Sequence, residues 1–236
     1  MYFPIVQALK FAIASIKMFG TDTYGFARNA GMELCTRWMQ LSTLFPFYPN
    51  YNVIGAIPQE AFRWTQPQPP PPLFYHAHTA GETVMRALAW EFSNDLLLRG
   101  VDNQFMLGPG LLITPVLKPL VTTIRGVFPS VVDDVVWYDY YALAHMDVWT
   151  DVNTTLQAPL EHIHMHVRGG SIVARQAPGN TTATLRRYPW GLLVALNANG
   201  EARCDLYIDD GESLVQFKRG RTTCRRATRL LVRFAM

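Results

Sequence analysis

Gly20-Thr21-Asp22-Thr23-Tyr24-Gly25-Phe26, followed by Glu33-Leu34-Cys35-Thr36-Arg37-Trp38-Met39-Gln40-Leu41, decides how this 236-residue chain is read. The apolar run Ile16 to Phe19 predicts a buried strand that ends in a carboxylate at Asp22. A turn follows, and then a helix over residues 29–43 with Leu34, Trp38 and Leu41 on one face. A lone acid at the end of an apolar strand costs desolvation free energy unless something pairs with it. In parallel α/β sheets and barrels, that position is where substrates sit. The residues leave two readings of Asp22 open. It faces a ligand, or it caps the following helix or pairs with Arg28 or Arg37.

Upstream, residues 4–15 carry Ile5, Leu9, Phe11 and Ile13 at near-helical spacing. Lys10 and Lys17 interrupt the apolar start, so its uninterrupted stretches are too short to span a bilayer. Ala12-Ile13-Ala14 mimics a signal-peptidase site, but no basic segment precedes it, so a core helix and strand is the expectation. Downstream, Phe45 to Thr65 has no period and is rich in Pro, Asn and aromatics, which predicts an ordered loop near a site. Pro69 to Pro72 cannot be helical or join a sheet ladder, so residues 66–72 read as a polyproline spacer. A further helix is predicted over Leu73 to Leu88, with Phe74, Ala77, Val84 and Leu88 in the core.

After Trp90 the chain turns to short β-runs punctuated by Gly and Pro. These are Gln104–Leu107, Leu111–Thr114, Val135–Asp139, Ile163–Ile172, Leu192–Leu196, Cys204–Ile208 and Leu214–Phe217. Their spacing predicts antiparallel sandwich modules. An α/β piece is therefore followed by β-domains, with no internal repeat.

Composition bounds the function. About half the residues are apolar and 17% are charged, as in a folded globular protein. The formal charge of +3 is too small to imply nucleic-acid binding. Six arginines between Arg219 and Arg233 interleave with Leu230, Leu231, Val232 and Phe234, as on the solvated face of a terminal hairpin. Cys35, Cys204 and Cys224 form neither a metal spacing nor a disulfide framework, although Cys204 and Cys224 could pair on neighbouring strands. Asn153 and Asn180 head glycosylation sequons that count only in the secretory pathway. His162, His164 and His166 share one face of a predicted strand. That face either chelates Zn²⁺ or is simply solvated, with Ile163, Met165 and Val167 turned inward. Asp133-Asp134 and Asp209-Asp210-Gly211-Glu212 read first as turns, with too few oxygen ligands for calcium. No Gly-x-Ser-x-Gly motif and no phosphate-cradling glycine loop is present.

The opening stretch resembles the motif Gly-Ala-Asp-x-Cys-Gly-Phe of the retaining α-glucosidases of glycoside hydrolase family 31. That family includes lysosomal acid α-glucosidase and the intestinal maltases and sucrases. Glu33 to Pro46 is similar to its Glu-Leu-Cys-x-Arg-Trp-x-Gln-Leu-x-x-x-Phe-Pro. Phe47-Tyr48-Pro49-Asn50-Tyr51-Asn52 resembles its Phe-x-Arg-Asn-His-Asn loop, and Pro58-Gln59-Glu60 follows in order. His78 to Arg86 is similar to the stretch that closes the family's barrel. Leu107 to Leu117 and Asp209 to Ser213 resemble parts of its two C-terminal β-domains. The likeness is collinear over almost the whole chain.

This resemblance implies the C-terminal remnant of a (β/α)8 barrel followed by two antiparallel β-sandwich domains. The expected bounds are late barrel segments over 1–90, with a proline-rich break at 66–72, then β-domains over 91–178 and 179–236. It also implies an enzyme class that hydrolyses terminal α-linked glucose from malto-oligosaccharides or glycogen, with no cofactor and no metal. Full-length relatives would be lysosomal or secretory. The implied sugar contacts are Asp22, hydrogen-bonding a glucosyl hydroxyl, with Phe26 as an apolar wall and Tyr51 in the place of the family's histidine.

The departures matter as much as the likeness. A retaining glycosidase needs two carboxylates about 5–5.5 Å apart. The family's Trp-x-Asp-Met-Asn-Glu nucleophile strand and its Gly-Asp acid/base motif do not occur in this sequence. Asp22 cannot serve as nucleophile and acid together, so the chain carries no catalytic residue of its own and is expected to be inactive alone. General-acid assistance by itself is worth roughly 10²–10⁴-fold. Pro49 and Tyr51 replace the Arg and His of the family loop. Tyr24 replaces its first Cys, which leaves Cys35 without the disulfide partner the resemblance implies. The proline run replaces a helical segment of the barrel. A non-catalytic carbohydrate-binding remnant is the alternative, and a separately encoded N-terminal piece could complement the chain.

Overall fold

The computed structural model describes residues 1–24, 26, 29, 31–57, 73–148, 154–177, 181, 184 and 188–203, plus the backbone of a ladder between Asp205–Leu206 and Arg225–Arg226. Residues 58–72, the sequons at Asn153 and Asn180, Asp209 to Ser213, and Cys204 and Cys224 lie outside the described residues.

Helix α1 (Tyr2–Ile13) starts two residues before the expected 4–15 span and buries Ile5, Ala8, Leu9 and Ala12, while Phe11 and Ile13 are exposed. The buried positions fall on one stripe of a 3.6-residue period. Ser15, at φ 63°, turns the chain out of the helix, and the Ile16 N–H donates back to the Phe11 carbonyl at 2.9 Å. The strand expected over Ile16–Phe19 does not form: no described backbone makes a ladder with it, and Ile16 and Met18 are exposed. Apolar character alone does not make a strand, because each strand needs a neighbour to pair its backbone. Phe19 instead stacks on Phe11 with ring centroids 4.5 Å apart.

Helix α2 (Met32–Ser42) starts at Gly31 without a side-chain cap, so Asp22 does not cap it. The face expected from Leu34, Trp38 and Leu41 is rotated. Leu34 is exposed, while Cys35, Met39 and Leu41 are buried together with Arg37 and Gln40. Helix α3 (Leu73–Ala80) is shorter than expected. It ends at Gly81, whose φ of 73° lies in the left-handed region that closes helices. Ala77, Val84 and Leu88 are buried as predicted, but Phe74 is exposed. The chain then passes through β1 (Met85–Arg86) and the short α4 (Leu88–Glu91). No helix among the described residues is long and apolar enough to cross a membrane.

The β region is organised around β2 (Phe105–Leu107), β3 (Leu111–Thr114), β4 (Thr123–Gly126), β5 (Trp137–Asp139), β6 (Thr154–Gln157) and β7 (His164–Arg168). A five-stranded sheet has the order β1-β2-β3-β7-β5, antiparallel throughout. The run Ile163–Ile172, read as one strand, divides at Gly169-Gly170 into β7 and β8 (Ser171–Gln176). β8 pairs with β9 (Trp190–Ala195), and β4 pairs with β6. Neither β4 nor β6 was expected from the sequence. Both are short and partly polar, and their pairing rather than their composition makes them strands.

Both faces of the central sheet are covered. Phe105, Leu107, Leu111, Ile113, Met165 and Val167 pack on the side that receives α1, Leu41, Phe45 and Ala77. Met106, Leu112 and Trp137 pack on the other side with Leu88, Leu98, Phe128 and Leu156. Two-sided burial explains why Leu111-Leu112-Ile113 is continuously apolar rather than alternating. The helical and β parts therefore share one core.

Candidate functional site

The loops that flank α2 lie against each other. The Thr23 N–H donates to the Pro49 carbonyl at 2.7 Å, and the Val53 N–H donates to the Phe26 carbonyl at 3.1 Å. The Ile57 N–H donates to Asn29 Oδ1 at 2.8 Å. At Gly20 the approach is closest, since a Cβ there would lie 1.5 Å from the Phe47 carbonyl oxygen. Only glycine permits that backbone contact.

Asp22 precedes Thr23, Phe26 is itself bonded to Val53, and Tyr51 lies between Pro49 and Val53, so all three are carried by the paired loops. All three are solvent-facing; Phe26 and Tyr51 are more than half exposed. Asp22 makes no hydrogen bond or ion pair with any described residue. The pairing with Arg37 that the sequence left open does not occur, because that guanidinium is engaged elsewhere. Arg28 lies outside the described residues. An exposed carboxylate and exposed aromatic side chains on paired loops supply hydroxyl acceptance and apolar ring faces, the chemistry that an amphipathic ring ligand needs.

Two residues beyond Asp22, Tyr24 is 2% exposed at φ 65° and packs with Cys35 and Met39. Tyr24 thus occupies space beside Cys35, where the resemblance implies a second cysteine. Burial pushes the Tyr24 phenol pKa up. Its hydroxyl, Thr21 Oγ1 and Thr23 Oγ1 are all buried with no hydrogen-bond partner among the described residues. Asp22 and Glu33 are the two acids within residues 1–57. Glu33 is engaged across the other side of α2, where its Oε1 accepts the Leu120 N–H at 3.0 Å. The loop pair therefore holds one available carboxylate, not the two that double displacement at an anomeric carbon requires.

A second set of contacts had no counterpart in the sequence reading. Arg37 donates from Nη1 to the Pro159 carbonyl and from Nη2 to the Ala158 carbonyl, both at 2.8 Å. Gln40 Nε2 donates to the Leu160 carbonyl at 2.8 Å. With Glu33, these residues form an i, i+4, i+7 stripe along α2, and every one of these bonds reaches main chain of the β region. The available signal was that spacing of polar residues in a helix flanked by apolar ones. Burial pushes the Arg37 pKa down, opposed by Glu33 and Glu161.

The histidine column is not a solvated face. His164 and His166 are buried on the side of the sheet that carries Phe128, because the segments around β4 and β6 cover it. The His162 and His164 rings lie 4.7 Å apart, and those of His164 and His166 stack in parallel at 5.9 Å. His164 Nε2 lies 2.6 Å from the Gln157 carbonyl. Among the described residues no group of three or more His, Cys, Asp or Glu side chains is arranged to hold a metal ion.

Comparison with known proteins gives a consistent pattern. Residues 1–79 match the model of the glycosyl hydrolases family 31 TIM-barrel domain, and residues 81–173 match the glycosyl hydrolase family 31 C-terminal domain. The chain is 51% identical over 229 residues to an Aspergillus niger α-glucosidase, covering 91% of this chain and 23% of that protein. It is 34% identical over 254 residues to the mouse lysosomal α-glucosidase, covering 94% and 26%. Its fold matches the crystal structure of the α3-Glc2-bound glucosidase II α subunit with a TM-score of 0.84 at 28% identity, covering 94% and 26%. The chain thus spans about a quarter of the length of the curated relatives it matches.

Proposed function

The chain belongs to glycosyl hydrolase family 31, and from that premise we propose that it is the late-barrel and C-terminal β part of a retaining α-glucosidase acting on terminal α-linked glucose of malto-oligosaccharides or glycogen. In this reading Asp22 accepts a glucosyl hydroxyl, Phe26 lines the apolar face of the ring, and Tyr51 supplies one phenolic hydrogen bond. The observation that supports it is the backbone pairing of the 20–29 and 45–57 loops, which carry these three exposed residues. The proposed division is 1–90 for the barrel part, 91–178 for the proximal β-domain and 179–236 for the distal one.

The 236-residue chain alone is inactive in this proposal. Hydrolysis with retention needs a nucleophile and a separate acid/base, and the sequence carries neither family motif. The test is incubation of the purified chain with an aryl α-glucoside. No turnover above buffer is expected, and turnover abolished by Asp22→Ala would overturn the inactive assignment.

A second reading is a non-catalytic carbohydrate-binding module, favoured by the exposure of Phe26 and Tyr51 on the loops paired around Asp22. It requires saturable binding of maltose that weakens on Asp22→Asn or Tyr51→Ala. Absence of maltose binding to the folded chain rejects this second reading. Co-purification of an N-terminal barrel piece would identify a complementing partner.

A further inference from the structure

Helix α2 is joined at both ends to the loop pair. Residues 20–29 enter it, and its last turn leads through Thr43, Leu44 and Phe45 into the loop that carries Tyr51. Its inner side packs Cys35 and Met39 against Tyr24, two residues beyond Asp22. Whatever sets the height and rotation of α2 therefore sets both halves of the candidate site.

The stripe Glu33, Arg37 and Gln40 is what fixes that helix to the β region. Three features single out Arg37 within it. Its residue is only 5% exposed, it makes two bonds at 2.8 Å, and those bonds span more than 120 residues of chain. The carbonyls of Ala158 and Pro159 belong to the connection between β6, which pairs with β4, and β7, which lies in the five-stranded sheet. Bonds to main chain hold position irrespective of side-chain rotamers on the receiving loop. A cationic donor makes stronger bonds to carbonyls than a neutral one, and its removal leaves the buried Ala158 carbonyl without that partner.

We propose that Arg37 is a positioning residue: through its paired bonds to the 158–159 carbonyls, the β region holds α2 and thereby the inter-loop registry Thr23–Pro49 and Phe26–Val53. That this registry serves sugar contact rests on the proposed function above; the positioning itself does not. The coupling runs in one direction of structure, from the central sheet through the β6–β7 connection to α2 and outward to the loops.

The experiment is residue-resolved amide hydrogen exchange on the 236-residue chain, comparing wild type with Arg37→Leu, Arg37→Lys and Gln40→Leu, alongside maltose titration. The reporters are the Thr23 and Val53 amides, which donate across the loops, and the Phe105 and Ile113 amides of the central sheet. Arg37→Leu should speed exchange at Thr23 and Val53 by about tenfold or more while the sheet amides change little. Arg37→Lys, which retains one charged donor, should restore part of that protection, and Gln40→Leu should show a smaller loss at the same two amides. Unchanged protection at Thr23 and Val53 in Arg37→Leu overturns the proposal. So does a uniform rise at all four amides, which marks general destabilisation instead. Selective loss at the loops in a protein that binds no maltose keeps the positioning role and rejects sugar binding by the chain.

Discussion

The imidazole of His166 meets the Phe128 ring edge-on, with centroids 4.7 Å apart, and neither ring nitrogen has a hydrogen-bond partner among the described residues. Burial first, and then the neighbouring His164 and His162, push its pKa down to about 3, with Asp139 opposing. His162 and His164 are shifted in the same direction, again chiefly by burial. A base whose folded pKa lies below its unfolded value binds fewer protons when folded, so stability is lost as pH falls from about 6.5 toward about 3. His166→Phe should flatten that dependence by on the order of a few kcal/mol between pH 7 and pH 4. Urea unfolding of both proteins at the two pH values measures it. Parallel pH slopes would show that His166 does not carry the effect.

Tyr24 is buried against Cys35 with its hydroxyl unpartnered among the described residues. A buried polar atom without a partner costs free energy, and removing it while keeping the ring is close to neutral or stabilising. Tyr24→Phe should therefore leave the midpoint of thermal unfolding unchanged or raise it, by up to about 1 kcal/mol in stability. A clear fall in the midpoint would reveal a bond to the hydroxyl.

Gly20 has no room for a side chain, since the Phe47 carbonyl occupies the place of its Cβ. Gly20→Ala must push the two loops apart or distort both backbones. The cost should be about 2 kcal/mol or more. Cleavage by a nonspecific protease within residues 45–57 should quicken in the variant. Wild-type cleavage rates together with wild-type stability would refute the close contact.

Glu91 accepts from Arg86 Nη1 at 2.9 Å and from Arg168 Nη1 at 3.1 Å, while Arg168 also lies over the Phe92 ring. One partly buried carboxylate thus ties β1 and β7 to α4. Glu91→Leu removes the carboxylate partner of Arg168 and one of the two carboxylate partners of Arg86, which keeps Glu82, and should destabilise by about 1–2 kcal/mol, with Glu91→Gln costing less. The shift in urea midpoint decides the matter; equal midpoints for Leu, Gln and wild type would mean the network contributes nothing.

The local parts of this fold were readable before any coordinates. Helix α1 was legible from its periodicity, β2 and β3 from dense apolar runs between Gly and Pro, and α2 from its length and absence of breakers. The failures share a cause. The strand over Ile16–Phe19 was read from apolar character, but a strand is defined by its neighbour. The run through Ile163–Ile172 was read as one element although Gly169-Gly170 divides it. Apolar periodicity puts Leu34 on a face with Trp38 and Leu41 and leaves Arg37 as a candidate partner of Asp22, because it has no means of foreseeing carbonyls about 120 residues away.

The sequence by itself determined the family, through collinear motifs whose residue order does not depend on packing. It also named Asp22, Phe26 and Tyr51, because each stands in such a motif. Only the tertiary structure decided that the two loops carrying them pair through backbone bonds, and that Arg37 and Gln40 of α2 grip the β6–β7 connection. It likewise decided that His164 and His166 are buried rather than solvated. The physical reason is that burial and hydrogen-bond partnership are properties of pairs of surfaces. A segment carries its own periodicity, but what covers it is chosen by residues far along the chain.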